Sequence, residues 1–290
     1  MITVAGYRLP ALGHSSHQTA ASIGRLALRS LHAELVCAPK PGLVTPFDRG
    51  SHVDMDVRIF LRSILSLRHY FALIAAAGME GLAFYELQRL GLAAEERMLR
   101  ATARINTHRG AIFTLGLLAA AAGRLHARNA RFSADRIGET VKRCWRKDLL
   151  EAMPDSASHG LAVAWRYGAG GARAEAALGF PTLREIGLPS LHEALAAGCD
   201  RNRALVHALF SLIAVLEDTN LLYRGGRDGL NFARKAAAEF VSAGSVLRSG
   251  WREHANELNR EFVARDLSPG GSADLLAATW FVHHLGTASW

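Results

Sequence analysis

Acidic side chains beside a proline- and glycine-rich stretch have the types and spacing of a site that handles phosphate and metal. Lys40 lies in the stretch formed by residues 39–42, and Asp54 and Asp56 follow it. A lysine supplies a compact positive charge for phosphate, and carboxylate oxygens are the ligands that Mg²⁺ prefers. Asp54 could equally cap the helix that follows, and capping and ligation can coexist because they use different oxygens.

Two adjacent acids, Glu217 and Asp218, close a strongly apolar helix predicted over residues 203–216. Burial of such acids is costly unless they are paired or bound to a metal, and the helix dipole disfavours anions at a C-terminus. Asp218 is therefore the strongest local indication of a site. The alternative is a polar exit turn with Asp218 exposed.

Three further polar segments could bind anions, and two of them, at residues 106–110 and 267–276, are predicted to open helices, where free amide donors attract anions. Arg109 lies in the break at residues 106–110 and offers bidentate contacts to phosphate. Arg173 and Glu175 follow a glycine cluster at residues 168–171, where a ligand can approach the backbone closely. The last segment, residues 267–276, contains Gly270, Gly271 and Ser272, whose exposed amides could form a phosphate nest. Asp274 is predicted in the first turn of the final helix. On local grounds the Arg109 segment is better explained as an ordinary helix–helix connection with a cap, and Arg173 and Glu175 as part of a solvated face. Capping explains the acid and the serines of the last segment just as well.

The elements that position these segments are predicted to be helices. Apolar residues recur at helical spacing, and no alternating run bounded by hairpin turns indicates a sheet. We expect an all-α fold, a single-domain multi-helix bundle with functional inter-helix loops, in which residues 1–18 form an N-terminal extension and residues 19–290 the domain. The predicted helices cover residues 19–37, 57–77, 81–90, 93–105, 111–125, 133–145, 160–166, 188–197, 203–216, 229–243, 251–264 and 273–285.

Composition restricts the classes of partner. The formal net charge of +8 attracts anions such as nucleotides, nucleic acid or acidic lipid surfaces. The positive charges are spread along the chain without a recognised helix motif, which argues against a nucleic-acid partner. The longest apolar run is too short to cross a bilayer and no signal pattern opens the chain, so we predict a cytoplasmic protein without a membrane partner. The dispersed cysteines predict neither a disulfide nor a structural zinc site.

Five sets of motifs follow one another along the chain. They are PKPGLV at residues 39–44 with GSH at 50–52 and DMD at 54–56, NTHRGAIF at 106–113 with LGL at 115–117, GAR at 171–173 with EA at 175–176 and GFP at 179–181, DTNLL at 218–222 with RGG at 224–226, and LSPGGSADLL at 267–276. In this order they resemble the triphosphoribosyl-dephospho-CoA synthases, over residues 20–285, and general likeness favours the malonate decarboxylase branch of that family. Five motifs in a fixed order are far more specific than any single glycine loop.

The resemblance implies a pentosyltransferase that moves the triphosphoribosyl group of ATP to the ribose 2′-hydroxyl of 3′-dephospho-CoA and releases adenine. The product is the precursor of the prosthetic group of an acyl-carrier protein, in malonate decarboxylase or citrate lyase. The implied partners are ATP and 3′-dephospho-CoA, and the expected cofactor is Mg²⁺. Displacement at an anomeric carbon passes through a transition state with positive charge on the ribose, which carboxylates stabilise.

Roles follow for the residues in these motifs. The candidate catalytic acids are Asp218, Asp54 and Glu175. Substrate and phosphate contacts are assigned to Lys40, Arg109, Arg173, Arg224, Asn220, Gly270, Gly271 and Ser272. The candidate metal ligands are Asp54, Asp56, Asp218 and Asp274. Two alternatives stay open, a non-catalytic regulator that binds a nucleotide or CoA and another N-glycosyl-bond enzyme acting on a nucleotide; the acids favour chemistry over binding alone.

Overall fold

The computed structural model describes residues 3–4, 7–8, 13–151 and 167–287, and these residues form an all-α fold, as predicted. A two-residue antiparallel ladder of β1 (Thr3–Val4) and β2 (Tyr7–Arg8) precedes the helices. A π-helical turn, Leu183–Gly187, and a 3₁₀ turn, Ser245–Leu247, interrupt the series. The α-helices are α1 His14–Val36, α2 Val57–Ser66, α3 Tyr70–Met79, α4 Phe84–Ala101, α5 Arg109–His126, α6 Ala134–Glu151, α7 Gly171–Ala177, α8 Leu188–Ala196, α9 Arg201–Val215, α10 Thr219–Ser242, α11 Trp251–Ala264 and α12 Gly270–Thr287.

Several predicted helix boundaries were wrong. The helix predicted over residues 57–77 is two helices, because the chain turns between α2 and α3, and the two predicted over residues 81–90 and 93–105 are the single helix α4. Helix α10 begins at Thr219, ten residues before the start predicted at residue 229, and it is kinked at Gly226, which has φ 62° and ψ −159°. Helix α1 begins inside the segment predicted as an extension. The helix predicted over residues 160–166 lies outside the described residues.

Helix α5 lies at the centre of the fold and is buried along most of its length. It packs against α1, α3, α6 and α12. A Cβ on Gly78 of α3 would overlap the carbonyl oxygen of Ala120, and a Cβ on Gly123 of α5 would overlap the carbonyl oxygen of Ala75. The backbones of α3 and α5 are therefore in direct contact, which gives this pair the close packing of a protein interior.

One apolar stretch, Val57–Met79, has the length and composition of a membrane span, with 50% of its most apolar window buried inside the protein. It is interrupted by the turn between α2 and α3. Helices α9 and α10 pass the same test only as a pair bent by 59°. Because the core helices of soluble proteins give the same signal, this is weak evidence for a span, and the cytoplasmic location stays a prediction. Cys37, Cys144 and Cys199 are free cysteines.

Candidate active site

The five polar segments meet at a cleft with a volume of about 2040 Å³. Sites for a single drug-sized ligand occupy roughly 300–1,000 Å³, so this cleft has room for two nucleotide-sized molecules. Its lining comes from the loop before α2, the start of α5, the segment around α7, and the N-terminal ends of α10 and α12. Segments far apart in the sequence therefore face one space.

Two loops form one continuous wall of the cleft. A Cβ on Gly42, which has a φ of 68°, would overlap the carbonyl oxygen of Leu267, and the Ser51 hydroxyl donates to that same oxygen at 2.6 Å. Only glycine combines this backbone conformation with so close an approach. The loop before α2 is thereby packed against the loop before α12.

The guanidinium of Arg224 forms hydrogen bonds to both the loop before α2 and the loop before α12. Its Nη1 donates to the carbonyl of Ser51 at 2.9 Å and to Asp266, at 3.2 Å to the carbonyl and 2.5 Å to Oδ1. Its Nη2 donates to Nδ1 of His52 at 3.1 Å, so Nε2 of that ring carries the proton and donates to Ser268 Oγ at 2.9 Å. Burial and the charge of Arg224 lower the pKa of His52, which favours the neutral ring.

Asp218 lies at the N-terminus of α10, and its predicted place at the end of the preceding helix was wrong. Helix α9 ends at Val215, and Oδ1 of Asp218 caps α10 by accepting from Asn220 N at 2.9 Å. Its Oδ2 accepts from the backbone N and the hydroxyl of Ser272, at 2.8 and 3.0 Å. Burial raises the pKa of Asp218 and these donors oppose the rise. The helix dipole favours this acid, while Glu217 is exposed to solvent.

Asp274 lies against the N-terminal end of α5. The prediction placed it in the first turn of the last helix, but α12 begins a full turn earlier and has no acid in its first turn. Its carboxyl accepts a hydrogen bond from the Ala111 amide, and Gly110 leaves room for it, since a Cβ there would overlap Oδ2. Burial raises the pKa of Asp274 well above its usual range, and the carboxylates of Glu34 and Asp218 raise it further.

Lys40 is buried behind the cleft wall, where it pairs with Glu34 near the end of α1. Its Nζ donates to the Glu34 carbonyl at 2.6 Å and forms a close ion pair with Oε1. The side chains are 1% and 8% exposed, and Glu34 lines the cleft whereas Lys40 does not. The lysine charge is thus engaged by a protein carboxylate, and the phosphate contact predicted for Lys40 stays untested.

The remaining charged residues predicted for the site have partners in the protein. Arg109 forms a close ion pair with Glu95 of α4, and both line the cleft. Glu175 accepts from the backbone N and the hydroxyl of Thr182, at 2.7 and 3.0 Å, and burial raises its pKa. Burial lowers the pKa of Arg173, which also lines the cleft.

The four predicted metal ligands are not gathered into one site. No three acidic, histidine or cysteine side chains among the described residues are arranged to hold a metal ion. Asp56, and not Asp54, caps α2, because its Oδ1 accepts from the backbone N of Arg58 and Ile59, at 2.9 and 3.0 Å. The oxygens of Asp218 already accept hydrogen bonds. These carboxylates do not fit a metal cage built from protein ligands alone.

His108 lies in the cleft wall, with its ring edge-to-face on Phe60 at a centroid distance of 4.9 Å. Thr107 Oγ1 donates to Ser63 Oγ at 2.7 Å, and Ser63 Oγ lies 2.6 Å from Nδ1 of His108. The single Ser63 proton is thus directed at Nδ1, which places the ring proton on Nε2. Burial and the charge of Lys40 lower the pKa of His108 to about 3, so the ring is neutral.

Most of the predicted site residues reach the cleft. Lys40, Asp56 and Ser272 do not line it, and Ser272 acts instead through its two hydrogen bonds to Asp218. Four residues without a predicted role also line the cleft, namely Glu34, Glu95, His52 and His108. For Glu34 the available signal was an acid among the apolar residues of α1 with a lysine shortly after it. The predicted residues that line the cleft are Asp54, Arg109, Arg173, Glu175, Asp218, Asn220, Arg224, Gly270, Gly271 and Asp274.

Comparison with known proteins adds an independent observation. The sequence matches the CitG family, described as ATP:dephospho-CoA triphosphoribosyl transferase, over residues 20–290. No solved structure matches the chain. The family match spans all five polar segments that meet at the cleft.

Similar proteins carry consistent names. A protein of Acinetobacter calcoaceticus, named probable 2-(5''-triphosphoribosyl)-3'-dephosphocoenzyme-A synthase, is 39% identical over 91% of both chains. A synthase of that name from Klebsiella pneumoniae is 40% identical over 88% of this chain and 87% of its own. One from Pectobacterium atrosepticum is 38% identical over 91% of this chain and 89% of its own.

Proposed function

The chain belongs to the ATP:dephospho-CoA triphosphoribosyl transferase family and is an enzyme of the transferase class, and from this premise we propose that its cleft binds ATP and 3′-dephospho-CoA together. The reaction moves the triphosphoribosyl group of ATP to the ribose 2′-hydroxyl of 3′-dephospho-CoA. The observation that carries the proposal is the convergence of the five polar segments on one cleft large enough for both substrates.

Bond changes at the anomeric carbon define what the residues must do. The bond from C1′ to adenine N9 breaks, a bond from C1′ to the acceptor oxygen forms, and the hydroxyl proton is finally carried by adenine. The transition state has positive charge on the ribose. Asp218 and Glu175 lie in the cleft wall with their oxygens held by donors, so they stabilise that charge from fixed positions.

Asp54 is the acid we assign as the base for the attacking hydroxyl. It lines the cleft in the loop before α2. Within the described part of the chain no hydrogen-bond donor engages its carboxylate, unlike those of Asp218 and Glu175. An oxygen that accepts no protein hydrogen bond is free to accept a proton from substrate. Asn220, which also lines the cleft, is assigned to a ribose hydroxyl.

Arginines hold the triphosphate in this arrangement. Arg173 and Arg224 line the cleft, and planar guanidinium groups suit phosphate oxygens. Arg109 contributes from the start of α5, where the free amides also attract anions, although its ion pair with Glu95 is the contact it makes in the protein. Gly270 and Gly271 line the cleft at the start of α12, and we assign them to the part of the wall that the triphosphate contacts.

In this proposal Mg²⁺ binds to the protein as its complex with ATP. Because Mg²⁺ keeps several waters and takes ligands from substrate phosphates, it needs few protein carboxylates. Asp274 lines the cleft and is the acid left for such a chelate, since Asp54 is assigned as the base. The four-carboxylate site expected from the sequence is not needed.

The fate of the product is the finer part of the proposal. We expect it to become the prosthetic group of an acyl-carrier protein in malonate decarboxylase or citrate lyase, with the malonate branch preferred. Membership in a transferase family sets aside the non-catalytic regulator. An N-glycosyl-bond enzyme with a different acceptor would still release adenine, so the test must identify the acceptor.

The decisive experiment is mass spectrometry of the products after incubation with ATP, Mg²⁺ and 3′-dephospho-CoA. We expect equal amounts of adenine and of a triphosphoribosyl adduct of dephospho-CoA. The matched control replaces 3′-dephospho-CoA with its 2′-deoxy analogue, which lacks the acceptor oxygen and should give no adduct. Release of adenine without an adduct, by a folded protein, would show hydrolysis and contradict the proposal.

A further inference from the structure

One polar atom of a residue that lines the cleft has no role in the reaction as described above. Nε2 of His108 is shielded from water and finds no hydrogen-bond partner among the described residues. The residue itself is 3% exposed and lines the cleft. Buried donors in folded proteins nearly always have an acceptor, so a missing acceptor beside a ligand cleft is expected on the ligand.

We propose that His108 donates a hydrogen bond from Nε2 to a ring nitrogen of adenine, N3 or N7, and stabilises the purine as it leaves. This inference rests on the proposed function, since it requires adenine to be a leaving group. It assigns His108 as a catalytic residue that touches the substrate.

The donor is set in place by two hydroxyl groups. Thr107 donates to Ser63 and Ser63 donates to Nδ1, at 2.7 and 2.6 Å, so the proton of the neutral ring is held on Nε2. Both hydroxyls are therefore positioning groups that act through His108. The edge-to-face contact with Phe60 fixes the ring from its other side.

A purine nitrogen suits this donor better than a phosphate does. The ring of His108 is neutral, because burial and the charge of Lys40 disfavour the imidazolium. A neutral donor matches an uncharged acceptor, whereas the cleft offers Arg173 and Arg224 for anions. The Lys40 charge nearby is engaged by Glu34 and does not compete for the ligand.

The electron balance explains the catalytic contribution. When the bond from C1′ to N9 breaks, its electron pair moves into the adenine ring and adds negative charge at N3 and N7. A preorganised donor gains strength as that charge grows, and it does so more in a site closed to water. His108 keeps its proton throughout and acts as a hydrogen-bond donor, while the proton of the attacking hydroxyl is taken by a carboxylate.

The test combines two variants with three nucleotides. His108→Phe removes the donor, and His108→Gln restores an N–H group close to the position of Nε2. Rates of triphosphoribosyl transfer are measured with ATP, 3-deaza-ATP and 7-deaza-ATP, and the folding of each variant is checked by circular dichroism. Loss of a preorganised donor lowers kcat by roughly 10²-fold, so we expect that loss for His108→Phe with ATP and partial recovery for His108→Gln.

The deaza nucleotides separate a contact to adenine from a structural role. The analogue that lacks the contacted nitrogen should be slow with the wild-type protein and little slower with His108→Phe. Equal slowing of all three nucleotides by His108→Phe overturns the inference while leaving the proposed function intact. A wild-type protein that forms no adduct from ATP contradicts the proposed function itself, and the inference with it.

A spectroscopic measurement covers the case in which the substituted proteins do not fold. The imidazole ¹⁵N and Nε2-bound proton resonances of wild-type His108 should shift on addition of ATP, and less with the deaza analogue that lacks the acceptor. Identical shifts with all three nucleotides would contradict the inference.

Ser63→Ala, which removes the hydroxyl that directs the tautomer, should lower kcat more than it changes KM.

Discussion

The contact between α3 and α5 and the wall of the cleft both depend on glycines that leave no room for a Cβ, yet they admit different groups. Gly78 and Gly123 admit the backbone carbonyls of a neighbouring helix. Gly110 admits the carboxyl of Asp274, and a Cβ on Gly271 would lie within 3.2 Å of both oxygens of Asp218. In the core, glycines allow the backbones of two helices to come into contact. In the cleft, glycines allow carboxylates to approach the N-termini of helices.

The two regions also differ in how charge is handled. The α3–α5 contact is built mainly from apolar side chains and glycine, with one hydrogen bond from the Tyr70 hydroxyl to the Ile112 carbonyl at 3.0 Å. The cleft wall instead holds the carboxyls of Glu34, Asp218 and Asp274, and Glu34 pairs with Lys40 behind the wall. Substitutions in the core should therefore lower the free energy of unfolding. Substitutions at the cleft should lower either the free energy of unfolding or the rate of the reaction. Three substitutions test this difference.

The largest effect is expected from Lys40→Met, which leaves the Glu34 carboxylate buried without its partner. Removal of one member of a buried ion pair costs about 3–5 kcal/mol, and we expect this loss in the free energy of unfolding measured with urea. The matched control is Lys235→Met, since Lys235 is 78% exposed and pairs with Glu239 on the surface of α10. Exposed pairs contribute about 0–1 kcal/mol, so equal losses for the two variants would contradict the assignment.

The second effect is expected from Gly78→Ala in the core. The added methyl overlaps the Ala120 carbonyl and must separate α3 from α5, and overpacking of this kind costs about 1–3 kcal/mol. We expect a lower midpoint of urea unfolding and an unchanged kcat for the folded fraction. Gly286→Ala in α12 is the control, because a Cβ there meets nothing within 4 Å, and a comparable loss in both variants would be inconsistent with this packing.

The smallest effect on stability and the clearest one on activity are expected from Gly110→Ala. The methyl group displaces the Asp274 carboxyl, so the rate of adduct formation should fall about tenfold, equivalent to about 1.4 kcal/mol. Gly91→Ala, in the same cleft, places its Cβ at an ordinary 3.6 Å from the Tyr70 hydroxyl and should retain activity. If Gly110→Ala instead unfolded the protein and Gly78→Ala did not, the distinction between the two regions would be wrong.

The sequence predicted the helices and the segments of the cleft because both have local signals. Proline and glycine in the Pro39–Gly42 turn end α1 and shape the loop that follows, and five motifs in order identify a family. The turn between α2 and α3 was missed, since residues 67–69 contain neither proline nor glycine to mark it.

The partners of the charged residues could not be predicted from local sequence. Lys40 has the side-chain chemistry of a phosphate ligand, but it pairs with Glu34, which lies in the last turn of α1. Asp218 was assigned to the wrong helix end, because α10 begins at Thr219 and not at residue 229 as predicted, so the acid caps the start of α10. Which carboxylate caps a helix, Asp54 or Asp56, likewise depended on where α2 begins.

The guanidinium of Arg224 can exchange one of its partners at little cost. The Asp266 side chain it holds is 74% exposed, so water can replace the arginine there, and such a pair contributes about 0–1 kcal/mol. Its bonds to Ser51 and His52 lie on the cleft wall and can persist during the exchange. A phosphate that displaces Asp266 would therefore bind a guanidinium that the protein already holds in position. The conformational entropy of the Arg224 side chain would have been lost during folding, before the substrate arrives.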